Sequence, residues 1–82
     1  MNEKLKRINC EVVTNLEVIY QMTPEQSYAI EHIAMNFKAS KVRLWGRFYP
    51  DQPEDYITGA LFDHKDMLIY EFGVDSTGRI SS

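Results

Sequence analysis

From Lys41 to Tyr49 the chain alternates without a break. Val42, Leu44, Gly46 and Phe48 fall on one side of an extended strand, and Lys41, Arg43, Trp45, Arg47 and Tyr49 fall on the other. The pattern predicts a two-faced strand with an apolar inner side and a basic, aromatic outer side. Upstream the period is helical. Between Glu3 and Gln21 the residues Leu5, Ile8, Val12, Leu16 and Ile19 recur at steps of three and four, with Glu3, Lys4, Arg7, Glu11, Thr14 and Asn15 on the opposite side. This predicts a first helix. A strand competes for residues 10–20, because the run is rich in β-branched residues and also alternates as Val12, Thr14, Leu16, Val18 and Tyr20. The longer helical pattern is preferred.

Thr23-Pro24-Glu25-Gln26 is a helix start, with Thr23 as N-cap, Pro24 in the first helical position and Gln26 completing a capping box. Ile30, Ile33, Ala34 and Phe37 give this second helix its apolar face, and Ala39 and Ser40 close it. Two further strands, Tyr56 to Phe62 and Met67 to Val74, flank Asp63-His64-Lys65-Asp66, which reads as a hairpin turn. A hairpin closed there sets Leu61 against Leu68, Ile57 against Phe72, and Gly59 under the ring of Tyr70. Its other face pairs Phe62 with Met67, Ala60 with Ile69 and Thr58 with Glu71. Pro50 to Asp55 is a loop. Asp75 to Gly78 is a turn, and Arg79 to Ser81 is left outside the sheet.

The expected fold is therefore α+β: residues 1–82 as a single domain, with an N-terminal helical hairpin packed on one face of a three-stranded antiparallel meander, in the order ααβββ. If residues 10–20 are a strand, the order becomes βαβββ. An 82-residue chain is near the lower limit for burying a self-sufficient core, so association with a further surface would help it. The single cysteine, Cys10, excludes an internal disulfide and favours a reducing, cytoplasmic setting. No apolar run follows the N-terminal charges as a signal sequence requires, and no segment is apolar over a membrane-spanning length. The net charge of −3 gives no overall attraction to a phosphate backbone, so a nucleic-acid interface has to be local.

Chemistry is sparse. Cys10 with His32 or His64 lacks the signature of a nucleophile and base, and the acids of the 50–55 loop and the 63–66 turn are turn formers before they are ligands. The four glycines are scattered, so no phosphate loop exists. No catalysis, metal or cofactor is expected. What remains is a surface. Two helices blanket one face of a three-stranded sheet, leaving Arg43, Trp45, Arg47, Tyr49, Phe62, Met67 and Ile69 on the other. Trp, Tyr and Arg are the side chains most enriched at binding hot spots, and an apolar patch rimmed by charge marks an association site. The expected function is a small protein-binding module, a regulator or inhibitor that occupies a partner's surface and also forms a homodimer. The alternative is single-stranded nucleic acid, stacked on Trp45 and Tyr49 and neutralised by Lys41, Arg43 and Arg47.

Overall fold

The computed structural model describes Leu5 and residues 8–81. Among them a five-stranded sheet and two helices follow in the order β1 (Glu11–Val13), α1 (Leu16–Gln21), α2 (Pro24–Asn36), β2 (Lys41–Trp45), β3 (Ile57–Phe62), β4 (Leu68–Val74) and β5 (Ile80–Ser81). The strands lie side by side in chain order. β1 runs parallel to β2, and every later neighbour is antiparallel. A parallel pair cannot be joined by a tight turn, so the chain between β1 and β2 crosses over one face of the sheet, and α1 and α2 make that crossover.

The α+β class is as expected, but the ααβββ order is corrected by a strand at each edge of the meander. The expected first helix is divided. Residues 1–4, 6 and 7 of that stretch lie outside the described residues. Glu11, Val12 and Val13 pair with Lys41, Val42 and Arg43, and α1 starts only at Leu16. The β-branched run favours a ladder over a helix, and the Asn15 carboxamide oxygen caps α1 by accepting the Val18 N–H at 2.9 Å. Leu16 shows the cost of forcing one stripe through both elements. Expected on the apolar face, it is 68% exposed, whereas Ile8, Val18 and Ile19 are buried. At the other edge Ile80 and Ser81 pair with Val74 and Gly73, making a real strand of the tail.

α2 begins as its sequence announces. Thr23 Oγ1 accepts the Gln26 N–H at 3.0 Å, and Gln26 Oε1 accepts the Thr23 N–H at 2.9 Å. The Gln26 side chain is wholly buried, and its Nε2 donates to the carbonyls of Asp55 at 2.7 Å and Val74 at 3.3 Å. Thr23 Oγ1 also donates to the Ser76 carbonyl at 2.9 Å. The helix start is thus bolted to the end of β4 and to the loop before β3. α2 ends in a Schellman motif, in which the Ala39 N–H reaches the Ala34 carbonyl and the Lys38 N–H reaches that of Met35. Lys38 takes the left-handed position usual for glycine, with φ 53°.

The β3–β4 hairpin pairs Ile57 with Val74, Gly59 with Phe72 and Leu61 with Tyr70, then slips by one residue so that Phe62 faces Leu68. This corrects the expected register by two positions and gives the ring over Gly59 to Phe72. The turn explains the slip. Asp63 Oδ1 accepts the N–H groups of Lys65 and Met67, the Asp63 N–H reaches the Met67 carbonyl, and Asp66 adopts φ 63°. The β4–β5 turn repeats the device. Asp75 Oδ1 accepts the N–H groups of Thr77 and Arg79, the Asp75 N–H reaches the Arg79 carbonyl, and Gly78 takes φ 88°. Both are turns followed by a left-handed residue that ends in a bulge, a three-residue hairpin form. The aspartate, rather than Asn-Gly, is the signal.

The core lies between the helices and one sheet face, around Ile30, Val42, Ile57, Leu61, Phe72 and Val74. Gly59 is required there: a Cβ on it would collide with the Phe72 ring.

Candidate interface on the open sheet face

The strand pairings fix which side chains share the face away from the helices. Three rows run across β2, β3 and β4: Lys41, Phe62 and Leu68; then Arg43, Ala60 and Glu71; then Trp45, Thr58 and Gly73. Ala60 is 2% exposed and stands outside the helix-side cluster, so the larger side chains of its own face close over it. Lys41 Nζ lies 5.0 Å from the centre of the Phe62 ring and 2.8 Å from Asp66 Oδ1. The Arg43 guanidinium lies 5.8 Å from the Trp45 ring, a cation over an aromatic face. Trp45 continues into Phe48 at 5.8 Å between ring centres, and Phe48 into Tyr49 at 6.4 Å, edge to face.

Of the seven residues that the sequence assigned to this surface, Arg43, Trp45 and Phe62 stand on the strands as expected. Met67 is exposed at the end of the hairpin turn. Ile69 is the residue at which the β3–β4 register slips, and it packs against the core cluster instead; exposed Leu68 takes its place opposite Phe62. Arg47 and Tyr49 lie beyond β2, which stops at Trp45 and not at Tyr49. The reason is competition for backbone groups. Gln52 Oε1 accepts the N–H groups of Phe48 at 2.9 Å and Tyr49 at 3.1 Å, and Arg47 Nη1 donates to the carbonyls of Gln52 at 2.9 Å and Pro50 at 3.3 Å. Arg47 is therefore a loop-building residue. Phe48, expected among the inward residues, is 61% exposed at the loop surface.

Two tyrosines complete the site, one of which the sequence reading missed. Tyr56 lies against Gly73, and its hydroxyl is 3.0 Å from Ser81 Oγ. Tyr49 and Tyr56 wall a trough of about 460 Å³ whose floor includes Thr58, Glu71 and Gly73. The legible signal was Gly73 itself: a bare position in a strand invites an aromatic ring to cover it.

The electrostatics are mixed. Lys41 is already paired, Arg47 is committed to its own loop, and Glu71 stands on the same row as Arg43. Elsewhere, burial pushes the Cys10 thiol up from its ordinary value, which leaves it protonated and weakly nucleophilic. Cys10 lines a groove with Ala34 and Lys38, His32 lines a different one with Ile33 and Ile80, and His64 sits in the β3–β4 turn. These side chains do not converge. Among the described residues no group of three or more His, Cys, Asp or Glu is placed to hold a metal ion, and no helix is long and apolar enough to cross a membrane.

No family model, curated protein or solved structure matches the chain.

Proposed function

We propose that the protein is a non-catalytic binding module, a regulator or inhibitor working in the cytoplasm, whose contact surface is the open sheet face centred on Trp45. One observation carries this reading: the helices cover a single face of the sheet, while the other presents Trp45, Phe62 and Leu68 beside the exposed rings of Phe48 and Tyr49. Aromatic rings with an arginine laid over one of them are the composition of an interface centre. The nucleic-acid alternative keeps the stacking rings but loses its cations. Lys41 is held by Asp66, Arg47 is spent on carbonyls, and Glu71 shares the face with the remaining Arg43. A phosphate backbone needs several free cations along one path.

The test compares Trp45→Ala with Tyr28→Ala, a similar truncation of an exposed ring on α2. Association, measured as self-association and as capture of partners from the protein's own cells, is expected to vanish in the first variant and persist in the second. Equal behaviour of the two would remove the open face from the function. Because Trp45 is the chain's one tryptophan, its emission reports directly on the face. Titration with short single-stranded RNA and DNA at two salt concentrations should leave that emission unchanged, and a salt-sensitive change would favour the nucleic-acid reading.

A further inference from the structure

We infer that the occupant of the open face is a second copy of this chain, seated face to face about a twofold axis that runs along β3. The inference rests on the interface reading above and adds the identity and geometry of the partner.

The central row sets the geometry. Arg43, Ala60 and Glu71 stand side by side across β2, β3 and β4, so the row reads positive, small, negative. Rotating a copy by half a turn about an axis parallel to β3 and lying between the two sheets exchanges the positions of β2 and β4. Arg43 of each copy then stands opposite Glu71 of the other, twice by symmetry, with the axis passing over the covered Ala60. Face-packed sheets lie about 10 Å apart, a gap that an arginine and a glutamate reaching toward each other can span. The two side chains are exposed, and among the described residues neither is spent on an ion pair. A twofold axis across the strands through the same row would put Arg43 on Arg43 and Glu71 on Glu71, so the charges select one axis.

The flanking rows obey the same operation. On one side Trp45 of each copy is carried over Gly73 of the other, to the trough of about 460 Å³ walled by Tyr49 and Tyr56. Tyr56 already covers Gly73, so the largest side chain of β2 meets the trough beside that ring. On the other side Phe62 meets Phe62, and Lys41 lays its stem along exposed Leu68. The surface is self-complementary in charge and in size, which an unrelated partner would not require.

Charge reversal tests this directly. Arg43→Glu and Glu71→Arg are both surface changes, and circular dichroism checks that each variant keeps its fold. In sedimentation velocity over a micromolar-to-millimolar series, the wild type is expected to dimerise and each single variant to weaken the dimer by about tenfold or more, since like charges then oppose each other at both pairs. An equimolar mixture of the two variants should recover the dimer. In the mixed dimer the introduced glutamate of one variant faces the introduced arginine of the other, and the unaltered Glu71 of the first faces the unaltered Arg43 of the second. A monomeric wild type overturns the proposal, as does a mixture no more associated than its components. A monomeric wild type that still captures another protein through Trp45 overturns the second copy alone. A dimer untouched by Trp45→Ala overturns the interface reading as well.

Discussion

Replacing Gln26 by leucine should be among the most damaging near-isosteric changes available in this chain. The side chain is fully buried and makes three hydrogen bonds, accepting from the Thr23 N–H and donating to the Asp55 and Val74 carbonyls. Leucine fills the volume but leaves all three partners without it. A buried group stripped of its partner costs about 1–3 kcal/mol; the bonds to Thr23 and Asp55 are only partly buried, which keeps the three together near the low end at about 3–5 kcal/mol, against which the added apolar burial returns about 1 kcal/mol. The net loss of about 3 kcal/mol is a large part of the roughly 4–12 kcal/mol expected for a domain of this length. In thermal unfolding followed by circular dichroism it corresponds to a fall in Tm of about 12–24 °C. Gln26→Glu separates the cap from the carbonyl contacts. Its carboxylate still accepts from Thr23 but meets two carbonyl oxygens with an acceptor, which raises its folded pKa. The stability of this variant relative to wild type is then greatest at acid pH, where the introduced group is protonated in both states, and is lost as pH rises through the raised folded value. A leucine variant within about 1 kcal/mol of wild type would refute the claim that Gln26 bolts α2 to the sheet.

Gly59→Ala should destabilise by about 1–3 kcal/mol in urea unfolding, because the new methyl group collides with the Phe72 ring. A neutral result would contradict the pairing of Gly59 with Phe72. Asp63 and Asp75 predict the acid limb of stability. Backbone bonds from Met67 and Lys65 hold the Asp63 carboxyl below its ordinary value of 3.8, and the Thr77 hydroxyl with the Arg79 N–H does the same for Asp75. Both folded values are depressed, so their contribution is complete above the ordinary value and is lost as pH falls below it through the lowered values. The double variant Asp63→Asn, Asp75→Asn should flatten stability against pH below about 4, and an unchanged acid limb would show that the turns do not depend on charge.

What the sequence disclosed followed how local each signal is. The start of α2 was legible because Thr23, Pro24 and Gln26 act within four residues. The turn at 63–66 was legible for the same reason, although its bulge was not, since the slip at Ile69 depends on which N–H groups the Asp63 carboxylate captures. β1 was visible only as the competing strand over residues 10–20, outweighed by the helical stripe, because its stability comes from Lys41–Arg43, some thirty positions away in the chain. A stripe of apolar residues at helical spacing and a half-buried edge strand next to a short helix place overlapping sets of side chains inside, and Leu16 is the residue that tells them apart. Its exposure shows that the apparent stripe was two elements read as one.

The open face was legible in its chemistry and misjudged in its balance. Side-chain alternation continues to Tyr49, but alternation says nothing of where the backbone N–H groups go, and Gln52 takes those of Phe48 and Tyr49 out of the ladder. With β2 ending at Trp45, the outward row loses Arg47 to the loop. Lys41 is neutralised by Asp66, and Glu71 enters the row of Arg43 once the true register replaces the expected one. A row that on paper carried three cations becomes a nearly balanced surface of alternating sign around aromatic rings. Such a surface gains little from a polyanion, whose charge has one sign throughout, and gains most from a sheet whose own charges alternate in the reverse order across the axis. The second copy proposed above would supply that sheet.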